Sequence, residues 1–135
     1  MADPSDYRAV RWSAKLDFDN VASAEAARQL VTLQGALVTD ALTPNYVLNG
    51  FRVLRTSGTD GALTVTIRYY ATNAATQKIY EVALACAANN DIILKTDLAI
   101  PLNLSQYVGL YVTIEDDGAD TDYDVDTLFT PLRVV

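Results

Sequence analysis

The chain contains no histidine and only one cysteine, one tryptophan and one methionine among its 135 residues. The absence of histidine removes the commonest general base, the base of a catalytic triad and the commonest zinc ligand. A single cysteine, Cys86, permits neither an intramolecular disulfide nor a CxxC motif, and we expect it to be a buried apolar residue. The six glycines are scattered and match no phosphate-binding loop. These absences argue against an enzyme, and we predict no catalytic or cofactor-binding residues.

Long apolar runs and clusters of basic residues are also missing. No apolar stretch approaches the roughly 18–20 residues that cross a bilayer, and the first residues lack the features of a signal peptide. Ten Lys and Arg stand against 17 acids, which gives a formal net charge of -7. Nucleic-acid binders need clustered cations. We therefore expect no membrane or nucleic-acid partner, synthesis in a cytoplasm, and a flexible N-terminal arm at residues 1–6.

The sequence does contain a strong alternation of apolar and polar residues. Segments 10–18, 63–69 and 108–114 place an apolar side chain at every second position, as half-buried strands do. Turn signals separate such segments, and Asp60-Gly61 before an alternating run predicts a hairpin. We predict an all-β fold, an antiparallel β-sandwich or jelly roll of about seven to nine strands. It should form a single domain over residues 7–135.

Residues 21–42 allow two interpretations. Residues 23–30 have a helix-favouring composition, and Ser23 could cap the helix. Residues 30–39 are richer in β-forming residues, and Gly35 would permit a bulge or a hairpin there. We predict a short helix near residues 23–29 followed by a strand.

The excess negative charge is confined to residues 115–126. Seven of the 17 acids lie there, which leaves ten acids against ten bases in the rest of the chain. Within this acidic segment, Asp120, Asp122, Asp124 and Asp126 are spaced by two, and in a loop they could supply the oxygen ligands of a Ca²⁺ ion. The spacing does not follow the EF-hand pattern. The alternatives are a solvated loop and a contact with a basic partner.

Aromatic residues offer a further hypothesis. Eight tyrosines accompany the single tryptophan, Trp12, which falls on the apolar face of the first predicted strand and is expected in the core. Tyrosine packs well on sheets, and it is also enriched at protein interfaces and on sugar-binding surfaces. A carbohydrate-binding β-sandwich module is therefore one functional alternative.

Three segments suggest a family. Residues 61–69 (GALTVTIRY), 98–102 (LAIPL) and 107–114 (YVGLYVTI) form a Thr-rich alternating strand, a short apolar segment with proline and a Tyr-flanked strand. Over about residues 47–114, which is about half of the chain, the sequence resembles small jelly-roll capsid decoration or cement proteins of tailed bacteriophages. The resemblance implies a non-enzymatic virion protein, made in the host cytoplasm, that binds the outside of the major capsid lattice and stabilises it as a dimer or trimer. A phage tail or fibre component is a related alternative.

Overall fold

The computed structural model describes residues 10–31, 45–71, 78–103 and 110–132. These ranges contain ten strands and no helix, and so no helix that could span a membrane. The strands are β1 (Arg11–Trp12), β2 (Leu16–Val21), β3 (Gln29–Leu30), β4 (Asn45–Ser57), β5 (Leu63–Tyr70), β6 (Lys78–Cys86), β7 (Ile92–Lys95), β8 (Ile100–Asn103), β9 (Tyr111–Asp116) and β10 (Thr121–Leu132). The predicted arm at residues 1–6 lies outside the described residues, and the single domain over residues 7–135 stays a prediction.

The strands form two antiparallel sheets. In sheet I the order is β1-β10-β4-β7, with β2 also beside β10 and β8 also beside β4. In sheet II the order is β3-β9-β5-β6. Since β1 and β2 share one edge of sheet I and β7 and β8 share the other, each sheet is four strands wide. The chain crosses between the sheets in the order expected of a jelly roll, which confirms the predicted fold class.

Burial of apolar side chains between the sheets explains the strand pattern. In β5, Leu63, Val65, Ile67 and Tyr69 are all buried, while the intervening residues face outward except for the buried Tyr70 at its end. The inner faces of β4, β9 and β10 contribute the rest of the centre of the core, including Phe51, Val53, Val112, Ile114, Tyr123 and Val125. Each fully buried side chain of this size contributes about 1.5–3 kcal/mol, so the alternation sets the face of every strand. Cys86 lies in this core, as expected.

The first predicted strand is interrupted, and its apolar face is only partly buried. The Ser13 N–H donates to the Thr127 carbonyl at 2.8 Å, and its hydroxyl accepts from the Thr127 N–H at 2.9 Å. The side-chain oxygen thus replaces a backbone carbonyl in the ladder, which separates β1 from β2. As a result Val10 is 58% exposed and Trp12 is only half-buried, so the expectation that Trp12 lies in the core was wrong.

The helix predicted near residues 23–29 is also wrong. This segment is extended beside β9, where the Ala26 N–H donates to the Ile114 carbonyl at 3.0 Å. The Thr113 hydroxyl donates to the Ala26 carbonyl at 2.6 Å, so both backbone groups of Ala26 are paired. Pairing with a distant strand therefore overrides local helix propensity. Of the strand predicted after it, the described residues contain Gln29–Leu30, and residues 32–42 lie outside the described ranges.

The hairpin predicted at Asp60-Gly61 is a crossover. The turn follows β4 of sheet I and precedes β5 of sheet II, and those two strands do not pair with each other. Arg55 holds this crossover from inside: its Nη1 donates to the Gly61 carbonyl at 2.7 Å, and Nη2 donates to the Asp60 carbonyl. A turn is present at Asp60-Gly61 as predicted, but the two strands that it connects lie in different sheets and do not form a hairpin.

Candidate functional site

The acidic segment 115–126 is not a loop. Its first residues end β9, residues 117–120 turn, and the remainder enters β10. Tyr123 and Val125 are fully buried, and their burial directs the intervening aspartates to the outer face of sheet I. The loop prediction was wrong because it weighed the repulsion among the carboxylates and not the apolar residues between them.

The first acids of the segment stabilise one end of the sandwich. Asp116 is buried, and the Tyr123 hydroxyl donates to its Oδ2 at 2.8 Å. Burial first, and then this carboxyl group, raise the pKa of Tyr123. Asp117 accepts the Thr64 N–H at 2.8 Å, and Glu115 accepts from Arg68 at 2.8 Å in sheet II. These contacts give the three acids structural roles.

Asp120, Asp122, Asp124 and Asp126 do not converge on one point. Asp120 has a positive φ of 55° in the turn, and the other three follow along β10 with separate partners. Residues two apart on a strand are about 7 Å apart, whereas calcium ligands must meet at about 2.3–2.6 Å from the ion. Across the described parts of the chain, no three acidic or cysteine side chains group as a metal site. The calcium site stays a prediction that this arrangement does not favour.

The three aspartates on β10 form a row, which we call the acidic row. Asp122 accepts the Ser57 hydroxyl at 2.7 Å and the Asn20 N–H at 3.0 Å. These two hydrogen bonds, in that order, hold the pKa of Asp122 below its ordinary value. Asp126 accepts from Arg52 Nε at 3.0 Å.

Asp124 has a less favourable environment within the acidic row. It lies directly opposite Asp17 of β2, and Lys15 Nζ reaches one oxygen of each carboxylate at 3.6 Å. Burial and then the neighbouring Asp17 raise the pKa of Asp124, despite Lys15. Asp19 also faces outward on β2. The described part of this outer face therefore carries five acids, two on β2 and the three of the acidic row, against the two bases Lys15 and Arg52.

The two neighbouring aspartates should respond to pH in opposite ways. A carboxyl group whose pKa is lowered by folding stabilises the fold above its unfolded pKa, and this stabilisation is lost as pH falls through the folded pKa. A carboxyl group whose pKa is raised by folding stabilises the fold at low pH, and this stabilisation is lost as pH rises through the folded pKa. Asp122→Asn should therefore lower the Tm at about pH 7 by about 2–5 °C, and Asp124→Asn should raise it slightly. Both differences should shrink toward about pH 3. Thermal unfolding followed by circular dichroism checks this, and shifts of the same sign at neutral pH would contradict it.

An exposed apolar patch lies at the other side of the same face. Ile92 and Leu94 of β7 are 60% and 59% exposed, although Ile93 between them packs against the core. Leu54 of β4 is opposite Ile92 and half-buried, and Arg52 is opposite Leu94. We call Leu54, Ile92 and Leu94 the apolar patch.

Arg52 joins the apolar patch to the acidic row. Its guanidinium binds Asp126 and lies over the Trp12 ring, 4.8 Å from the ring centroid. Across the outer face of sheet I, the aliphatic side chains of β7 and β4 and then Arg52 are followed by the carboxylates of β10, with Trp12 of β1 beyond β10. Sequence reasoning missed the patch because Ile92-Ile93-Leu94 does not alternate. Three consecutive aliphatic residues make both faces of a strand apolar, and in a sandwich of two sheets one of those faces points outward.

Comparisons with known proteins give structural similarities only. No family model and no curated protein matches this chain. A chain from Bacillus endospore appendages, described as disulfide-linked pili, is 15% identical with a TM-score of 0.44, and the match covers 98% of this chain and 96% of that one. A chain of turnip yellow mosaic virus is 10% identical, covers 95% and 96%, and has a TM-score of 0.34. A chain of desmodium yellow mottle tymovirus is 11% identical, covers 100% and 92%, and has a TM-score of 0.35.

Proposed function

We propose that this protein is a non-enzymatic structural protein of a virion, and specifically a decoration or cement protein that stabilises a capsid from outside. It binds the major capsid lattice through the outer face of sheet I. The observation that carries the proposal is the apolar patch beside the acidic row on one sheet face. Protein interfaces commonly combine an apolar centre with a polar rim, and large exposed aliphatic pairs are a recurrent sign of them.

The charge of this face defines the partner surface. Among the described residues, the outer face of sheet I carries five acids against two bases, and this balance favours a capsid surface that presents lysine and arginine around an apolar centre. Such pairing steers association and weakens as salt rises, because exposed charges are screened within about 10 Å at 0.1 M salt. The proposal therefore keeps the hypothesis that the acidic segment contacts a basic partner, and it assigns this contact to the three aspartates of the acidic row.

The described side chains support a structural role over catalysis or sugar binding. The chain has no histidine, and Cys86 is 2% exposed, with its Sγ 3.9 Å from the Ala88 carbonyl. The buried Tyr69 hydroxyl pairs with Thr127 Oγ1 at 2.8 Å, which is a contact between the two sheets. Trp12, the one tryptophan available to stack on a sugar, is covered by Arg52.

Removing the apolar patch should abolish most of the binding to capsid. The double variant Ile92→Ser/Leu94→Ser should bind particles of the cognate major capsid protein about 30- to 100-fold more weakly, since both side chains lose apolar burial at the interface. Leu30→Ser, at a 51% exposed site in sheet II, is the matched control and should bind normally. Cosedimentation with capsid particles measures the affinity of each variant, and repeating it at low and high salt measures the contribution of charge.

Three outcomes would overturn the proposal. Wild-type protein that does not bind capsid particles would exclude the decoration role. Turnover in a broad hydrolase screen would show that the protein is an enzyme. Dose-dependent binding on a glycan array would favour the carbohydrate-binding alternative.

A further inference from the structure

Strand β6 has the longest open edge in the described part of the fold. It contains nine residues, Lys78–Cys86, and pairs with β5 along its length on one side. No described strand pairs with its other side, whereas the other edge strands are six residues long or shorter. A long edge leaves a row of backbone N–H and C=O groups able to pair with another strand.

This edge lacks most of the features that prevent strands from pairing. Edge strands are commonly protected by shortness, proline, bulges or inward charges. In sheet I, β7 and β8 are each four residues long, and β8 contains Pro101. Strand β6 contains no proline, its one register shift is at the Lys78 end, and its only charges are Lys78 and Glu81.

The side chains of β6 suit a sheet that continues beyond it. Tyr80, Val82 and Leu84 point inward and pack against the core, but each remains partly exposed. On the outer face, Ala83 and Ala85 are exposed and small. A further strand would therefore complete the burial of three apolar side chains and meet no bulky obstacle on the other face.

We propose that β6 pairs antiparallel with β6 of a second copy about a two-fold axis at Val82. This register overlaps all nine residues and joins the two copies of sheet II into one continuous sheet. It places Tyr80 opposite Leu84 of the second copy and Val82 opposite its equivalent, so the partly exposed apolar residues cover one another. A two-fold contact of this kind is self-complementary and closes as a dimer.

Charge favours this register over the adjacent one whose axis lies at Glu81. With the axis at Val82, Glu81 lies opposite Ala83 of the second copy, and no two like charges face each other. With the axis at Glu81, the two carboxylates would lie directly opposite, which is unfavourable on a sheet. The inference goes beyond the proposed function, because it needs only a second copy of this chain and does not involve a capsid.

Charges placed at Ala83 give a test whose sign is set by the register. Wild-type protein should be a dimer in sedimentation equilibrium. Ala83→Glu would place each new carboxylate opposite Glu81 of the other copy, so the dimer would contain two like-charge pairs and its Kd should rise about tenfold or more. Ala83→Lys, at the same exposed position, should leave the Kd unchanged or lower it. Leu30→Glu, at a 51% exposed site on β3 at the opposite edge of sheet II, is the control and should dimerise normally.

Several results would overturn the pairing. If wild-type protein is monomeric at about 100 μM, the proposed β6–β6 dimer is excluded. Glutamate and lysine at position 83 acting in the same direction would exclude this register. An open-ended series of oligomers would indicate pairing of β6 with a different edge. If the protein is monomeric but binds capsid particles, only the dimer is refuted. If the protein is dimeric but does not bind capsid particles, only the decoration role is refuted.

Discussion

Gly50→Ala should destabilise the protein by about 3 kcal/mol or more, enough to lower the Tm by about 10 °C. A Cβ at this position of β4 would stand 2.8 Å from the Lys95 carbonyl carbon and 2.9 Å from Thr96 Cα, and closer still to the Lys95 oxygen. These are backbone atoms, so no side-chain rotation relieves the clash. The chain after β7 would have to move away, which threatens the hydrogen bond from the Leu98 N–H to the Asn49 carbonyl.

Gly61→Ala is the matched control for this substitution. A Cβ at Gly61 meets no atom within 4 Å, and the residue is not at a positive φ. Its effect should lie within about 1 kcal/mol and can be stabilising, because alanine restricts the unfolded chain. Chemical denaturation of both variants measures the difference. Equal stabilities would show that the Lys95–Thr96 backbone does not approach Gly50 as described.

Arg55→Met should cost about 3–5 kcal/mol, or about 10–20 °C in Tm. Arg55 is 1% exposed, and its Nε donates to Asn89 Oδ1 at 2.9 Å while its other nitrogens bind the carbonyls of Asp60 and Gly61. Methionine can fill the volume but leaves these acceptors without a donor. Because Asn89 lies in the turn from β6 to β7, one side chain holds two crossovers between the sheets.

Arg52→Met is the control that separates the effect of removing a buried arginine from the effect of removing any arginine. Arg52 is three residues away on the same strand, but its side chain is 43% exposed and binds Asp126 on the outer face. Its removal should cost about 1 kcal/mol or less, since exposed ion pairs contribute little. Thermal and denaturant unfolding of the two variants compares them directly. A similar loss in both would contradict the role of Arg55 at the crossovers.

Much of the fold could be predicted because strand formation depends on a local pattern. Leu63, Val65, Ile67 and Tyr69 alternate with polar residues, and any sandwich would bury that set on one face. The all-β class therefore follows from the sequence, although the described ranges already contain ten strands instead of the seven to nine predicted. The additional strands arise from interruptions such as Ser13, whose hydroxyl substitutes for a backbone group in a way that alternation does not reveal.

The candidate site could be predicted only in part. The sequence showed where the acids concentrate, but their individual partners depend on strands that are distant along the chain. Asp122 is bound by Ser57, 65 residues away, and by the backbone of Asn20, 102 residues away. No spacing rule within residues 115–126 contains that information. The exposed patch on β7 was missed because Ile92-Ile93-Leu94 does not alternate, so the sequence does not show which of its residues face outward.

By itself the sequence determined composition and periodicity: no histidine, no possible intramolecular disulfide, and enough alternation to require sheets with one buried face. The tertiary structure alone decided which strands meet. It converted a helix-favouring segment into a partner of β9, a hairpin signal into a crossover, and an acidic loop into one face of β10. The physical reason is that register and sheet order are set by packing both inner faces at once, an interaction between residues that are far apart in the chain.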